Sequence, residues 1–193
     1  MNAEQEKALY QIAEDQGGYF SIAQASSIGI RRNQIYRAIR QGTIEKAYHG
    51  VYRLVLFPAS RFEEIYAAMV SLGENAVVGY ETALYIYDLS DVIPNEIHFI
   101  LPRSSSRRRN HIRMHTAALP PEDITSFEGF QITTVSRTII DILSTHGDFD
   151  QIRLAVSQAL DRGLTTHEKL IQQAKQRSEK TTKLILELID QKD

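Results

Sequence analysis

The stretch that most constrains this chain is residues 43–54, "TIEKAYHGVYRL". Ile44, Ala47, Val51 and Leu54 alternate with polar neighbours, and His49-Gly50 sits at the centre. Alternation about a Gly-containing pair predicts two strands joined by a tight turn.

What precedes the hairpin predicts three helices. In residues 3–15, Ala8, Leu9, Ile12 and Ala13 form one apolar helical face, and Gly17-Gly18 stops it. In "YFSIAQASSIG", Ser21 and Gln24 have the spacing of a capping box, which opens a short Ala-rich helix. Gly29 ends that helix, and a third begins at about Arg31. Helix, Gly-containing turn and second helix make the helix-turn-helix plan. With the hairpin added, the plan is that of a winged helix-turn-helix.

The third helix, "RRNQIYRAIRQG", divides by angle at about 100° per residue. Ile35, Ala38 and Ile39 share an inward face. Asn33, Arg37 and Arg40 point the other way, with Gln34 and Gln41 on one shoulder and Tyr36 on the other. Arg bonds guanine through O6 and N7, while Asn or Gln bonds adenine through N6 and N7. Arg31 and Arg32, at the helix start, are placed for phosphates. On the hairpin, Lys46, His49 and Arg53 fall on or near the wing, while Tyr48 and Tyr52 are expected to pack it down. An isolated helix with such a face is more often a plain solvated surface; the wing that follows favours DNA.

Charge supports this division. The 193 residues carry a formal net charge of −2, yet residues 29–54 hold six Lys or Arg against Glu45. A second basic island, "PRSSSRRRNHIRMH", contains Arg103, Arg107, Arg108, Arg109 and Arg113 with no acid. Between them, residues 56–101 hold seven acids against Arg61. Local patches rather than net charge govern polyanion binding. The second island suits DNA contact, a charged hairpin tip that blocks edge-to-edge pairing, or an acidic protein partner; all three stay open.

The run "GGYFSIAQASSIGIRRNQIYRAIRQGTIEKAYHGVYRL" resembles the N-terminal domain of AbiE-type (abortive infection) antitoxins of bacterial type IV toxin–antitoxin systems. That pattern has an aromatic pair before a short Ala-rich helix, a Gly turn, a basic helix and a closing "GVYRL". More loosely, "ETALYIYDLSDVIPNEIHFILP", a basic run, "ALPPEDI" and "ITTVSRTIIDIL" follow the order of the family's second domain, so the resemblance spans about residues 17–145. It implies a phage-defence antitoxin that represses its own operon by binding operator inverted repeats in double-stranded DNA. The implied toxin is nucleotidyltransferase-like and is opposed without an obligatory stable complex. The resemblance also singles out Arg137 and Asp141. Four apart on one helix, they are placed to pair, and structural anchoring is the favoured reading over a direct part in opposing the toxin.

Pro58 and Ser60 mark a linker, giving domains at 1–56 and 60–193. Ser60 with Glu63 reads as another capping box, opening a helix at 61–73 with Ile65, Ala68, Met69 and Leu72 inward. "YETALYIYDL" reads as a helix and "EIHFILP" and "HIRMHTAAL" as strands. "EDITSFEGFQITTV" reads as two strands about Glu128-Gly129. A helix capped near Ser136 and three more at 149–162, 166–177 and 180–191 complete the chain. The expected fold is α+β: a winged helix-turn-helix, then a mixed α/β domain with a helical tail.

No enzyme is expected. The chain has no cysteine, so thiolate metal sites and thiol nucleophiles are excluded. There is no Walker loop and no HExxH, and the glycine-serine and paired-aspartate elements of a nucleotidyltransferase are missing. Asp88 and Asp91 before His98 read as a helix end and turn rather than a metal trio, and His111 with His115 lacks a completing acid. No cofactor or metal is called for. No apolar run reaches the roughly 18 residues of a membrane span, and the start lacks a secretory plan, so a cytoplasmic protein is expected. Two rivals stand beside the antitoxin: a protein-interaction module, and a winged-helix regulator without antitoxin activity. A nuclease targeted by the winged domain is a more distant third.

Overall fold

The structure is a computed structural model and describes residues 1–91, 93–103, 111–145 and 148–190. The chain divides into two compact units. The first is Met1–Ala76 with Ser126–Phe130; the second is Val77–Thr125 with Gln131–Asp193.

The first unit opens with α1 (Ala3–Glu14), capped by Asn2, whose side chain accepts the Gln5 N–H at 2.8 Å. A short strand β1 (Tyr19–Ser21) follows, then α2 (Ile22–Ser27) and α3 (Arg32–Arg40). The expected capping box forms: Ser21 N–H donates to Gln24 Oε1 at 2.8 Å, and Gln24 N–H donates to Ser21 Oγ at 3.1 Å. The hairpin is β2 (Ile44–Tyr48) and β3 (Val51–Leu54), with His49-Gly50 as its turn.

Three details of the wing differ from expectation. β1 pairs antiparallel with β3, so the sheet has three strands in the order β1-β3-β2. A bulge between Lys46 and Tyr48 leaves Ala47 without a partner in the ladder and exposed, rather than inward. Tyr52 is buried and stacks on Phe20 at 5.8 Å, but Tyr48 stays open to solvent. Leu9, Ala13, Phe20, Ala25, Ile30, Ile35, Ala38, Ile44, Tyr52 and Leu54 form one core from every element so far named.

The expected boundary at 56–60 lies inside this unit, because α4 (Glu63–Leu72) packs on β1, β2 and β3. Ser60 does not form the expected capping box. Its Oγ accepts from the Phe62 N–H, the helix starts one residue later, and the Glu63 carboxylate turns toward Arg53 at 3.8 Å. Burial on α4 also runs wider than one stripe, taking in Tyr66, Ala67 and Val70, while Met69 and Leu72 are only half-buried. Phe62 and Tyr66 meet Phe130 edge-on, and the Tyr66 hydroxyl donates to the Glu128 carbonyl, which ties residues 126–130 to this unit. Gly17 (φ +61°) lets the Tyr66 ring come close: a Cβ there would lie 2.5 Å from it.

The second unit contains β4 (Val77–Val78), α5 (Tyr80–Ile86), β5 (Ile97–Leu101) and β6 (Ile112–Thr116). A 3₁₀ turn, Pro121–Asp123, leads into β7 (Ile124–Phe127) and β8 (Phe130–Thr133). The five-stranded order is β6-β5-β4-β8-β7. β5 and β6 run parallel. Then come α6 (Val135–Ser144), α7 (Phe149–Asp161), α8 (His167–Arg177) and α9 (Glu179–Asp190). The cap of α6 is Thr134, two residues before the expected Ser136. α6 is buried from Val135 to Leu143 and packs against α5, α7, α8 and α9. The architecture is mixed α and β, with a small winged unit first and helices last.

Candidate nucleic-acid interface

α3 presents the divided surface that its sequence predicts. Ile35 and Ala38 are buried and Ile39 is half-buried. Asn33, Arg37 and Arg40 are exposed, as are Arg31 and Arg32 at the start of the helix. On the wing, Lys46 and His49 are exposed as well. These seven exposed side chains therefore lie on or beside one helix and one hairpin of the same unit.

Gln34 and Arg53 are engaged in the fold. Gln34 Oε1 accepts the Arg31 N–H at 2.8 Å, and its amide donates to Gln5 Oε1 at 3.1 Å. Gln5 in turn donates to the Gly29 carbonyl at 2.9 Å. The two glutamines thus fasten α1 to the turn before α3 and to the first turn of α3 itself. Arg53 has a side chain only 11% exposed. One guanidinium nitrogen donates to Glu45 Oε1 at 2.8 Å across the hairpin, and another donates to the Phe57 carbonyl at 2.7 Å. Its geometry positions the wing.

In the second unit, Arg103 and Arg113 are exposed. Arg107, Arg108 and Arg109 lie outside the described residues.

Arg137 and Asp141 pair as their spacing predicts, Nε to Oδ2 at 2.8 Å, and both are buried. The sequence reading missed the rest of the group. Asp123, fourteen residues upstream, accepts from Arg137 Nη1 at 2.6 Å and from the Gln173 amide at 2.8 Å. Arg177 faces the other oxygen of Asp141 at 3.5 Å. Burial disfavours the Arg137 charge, but the two carboxylates, Asp141 foremost, outweigh it and hold the guanidinium pKa up. Burial pushes the Asp141 carboxyl up, against the pull of Arg137 and Arg177. Asp123 and Asp141 are buried with Arg137, which fits the anchoring role.

A second polar group surrounds His98. Its Nδ1 lies 2.7 Å from Glu81 Oε2 and 3.3 Å from His115 Nε2. The His115 ring stacks on Tyr80 with centroids 3.7 Å apart. Burial first, then the neighbouring His98 and Arg113, bring the His115 pKa down to about 4, with Glu81 pulling the other way. His98 is thus joined to Glu81 and His115 rather than to Asp88 and Asp91. Among the described residues, no group of three His, Asp or Glu side chains is arranged to hold a metal ion, and no helix is long and apolar enough to cross a membrane.

Three helices, a pinned hairpin and an open polar arc on the third helix define a winged helix-turn-helix protein. Residues 7–55 match the family of AbiEi antitoxins, described as transcriptional regulators. The match lies within the winged unit and supports a regulator or antitoxin role. That family is one of regulators, not an enzyme class. The crystal structure of the RV2827C protein from Mycobacterium tuberculosis shares the fold, with a TM-score of 0.59 over 98% of this chain and 78% of that one. At 11% identity the likeness is one of fold alone. No curated protein matches the sequence.

Proposed function

We propose that this chain is a cytoplasmic DNA-binding antitoxin and transcriptional autorepressor of a type IV toxin–antitoxin operon. Its winged part binds inverted repeats in the operator, and the second part opposes a nucleotidyltransferase-like toxin without requiring a stable complex. The observation that carries the DNA half is the arc of Asn33, Arg37 and Arg40. All three are exposed on a helix whose opposite face is fully used by the core.

The arc has the chemistry to read base edges, Arg to guanine and Asn to adenine. Arg31, Arg32, Lys46 and His49 supply the phosphate and wing contacts that set register but carry no sequence information. Gln34 and Arg53 serve the interface by holding its parts. Arg103 and Arg113 offer a further polyanion surface, with Arg107, Arg108 and Arg109 adjoining them in sequence. Arg137 and Asp141 anchor the second part.

The test is a gel shift on the chain's own upstream region across a salt series. Arg37→Ala is expected to relax specificity, a loss of about 1–3 kcal/mol of discrimination at one base pair. Arg32→Ala is expected to weaken all sequences alike and to lower the salt slope by about 1. Absence of salt-sensitive binding sinks the repressor. Co-expression with the toxin encoded alongside tests the antitoxin half, and failure to restore growth sinks it. A protein-interaction module would instead keep its DNA binding, if any, unchanged in the triple Arg31/Arg37/Arg40 variant.

A further inference from the structure

Tyr36 stands among the reading residues of α3 with no evident work to do for the fold. It is 55% exposed, more open than Tyr10, Tyr48 or Tyr85. Among the described residues its ring stacks on nothing and its hydroxyl makes no hydrogen bond. By helical angle it lies about 40° from Arg40 and about 60° from Asn33, on the shoulder that looks toward the wing. Tyr52 of β3 is its electrostatic neighbour on that side. An open aromatic face therefore lies between a base-reading arc and the strand that carries the wing.

The arc is chemically incomplete without such a face. Arg and Asn address the acceptors and donors of guanine and adenine, whereas thymine's distinguishing mark in the major groove is an apolar C5-methyl. Only an apolar surface gains from covering it. We propose that Tyr36 is a specificity-determining residue that reads the 5-methyl group of one operator thymine through its ring. The inference rests on the proposed entry of α3 into the major groove.

The experiment replaces each thymine of the footprinted operator by deoxyuridine, one position at a time. Affinity is measured by fluorescence anisotropy for the wild type, Tyr36→Ala and Tyr36→Phe. At one position, removing the methyl is expected to weaken wild-type binding about fourfold, the weight of one buried methyl group. Tyr36→Phe keeps that ratio and Tyr36→Ala brings it to one. Thermal unfolding of both variants is expected to match the wild type, as suits an exposed side chain.

Three results overturn the proposal. The wild type has no methyl-dependent position, or Tyr36→Ala keeps the full dependence. Alternatively, Tyr36→Phe and Tyr36→Ala lose equally on every sequence, which makes the hydroxyl a phosphate ligand. A chain that binds no upstream DNA fails earlier and separately, at the reading of α3 itself.

Discussion

The Gln34 side-chain amide donates to Gln5 Oε1 at 3.1 Å, across 29 residues of sequence. The same Gln5 holds the Gly29 carbonyl, so one residue of α1 touches both the turn and the helix that follows it. Gln5→Ala removes both bonds and also the one its Oε1 accepts from the Asn2 N–H at 3.2 Å in the cap of α1. The expected loss is about 2–3 kcal/mol at the modest net value of each bond, read by chemical denaturation. Operator affinity should fall with it, because α3 loses its fixed start. A variant as stable as the wild type would make the latch incidental.

Arg137 lies between Asp123 Oδ2 at 2.6 Å and Asp141 Oδ2 at 2.8 Å, and all three are buried. Removing it leaves Asp123 with only the Gln173 amide and Asp141 with only Arg177 at 3.5 Å. Arg137→Ala is expected to cost about 3–5 kcal/mol, the usual result of breaking a buried pair from one side. Arg137→Lys should rescue little, since a single ammonium cannot reproduce a fork directed at two acids. A variant of near wild-type stability that no longer opposes the toxin would overturn anchoring and point to a direct role.

Arg53 separates two readings of the wing. Its guanidinium is spent on Glu45 and the Phe57 carbonyl. Arg53→Ala should therefore lower stability by about 2 kcal/mol, in the range of charge-assisted hydrogen bonds, and weaken DNA binding through a loosened wing. A phosphate contact predicts something else: unchanged stability and a salt slope lower by about 1. Measuring both on one variant decides between them.

What was legible in the sequence follows from the range of each interaction. The Ser21–Gln24 box, the divided face of α3 and the Glu128-Gly129 turn are set within a few residues, and all are found. β1 is three residues long and its identity comes from pairing with β3, some thirty residues away, so no local period announces it. Asp123 joins Arg137 from fourteen residues upstream, and only folding reveals the second carboxylate. Arg53 read as a wing cation because its charge was visible and its partners were not. Ser60 misled because its Oγ turns to the Phe62 N–H, leaving Glu63 free to face Arg53. Burial of α6 along nearly its whole length was likewise beyond the pattern, since helices press on it from several directions.

The His115 ring gives the second unit a pH signature whose sign can be worked out. In the fold its pKa is brought down to about 4, by burial first, then by His98 and Arg113; in the unfolded chain it returns to about 6.5. Between these values the unfolded chain binds more protons, so stability rises with pH there. The contribution is whole above about 6.5 and is lost as pH falls toward 4. Glu81, which faces the same rings, is held below its usual range because its hydrogen bonds, that to His98 first, outweigh burial, so its contribution is lost as pH falls below about 4.5. Replacing His115 by Phe keeps a ring against Tyr80 and removes the titration. Denaturation midpoints measured from pH 4 to pH 7 should fall more gently on acidification in His115→Phe than in the wild type. Identical slopes would mean that the ring is protonated in the fold, or that the Tyr80 stack leaves it open to water.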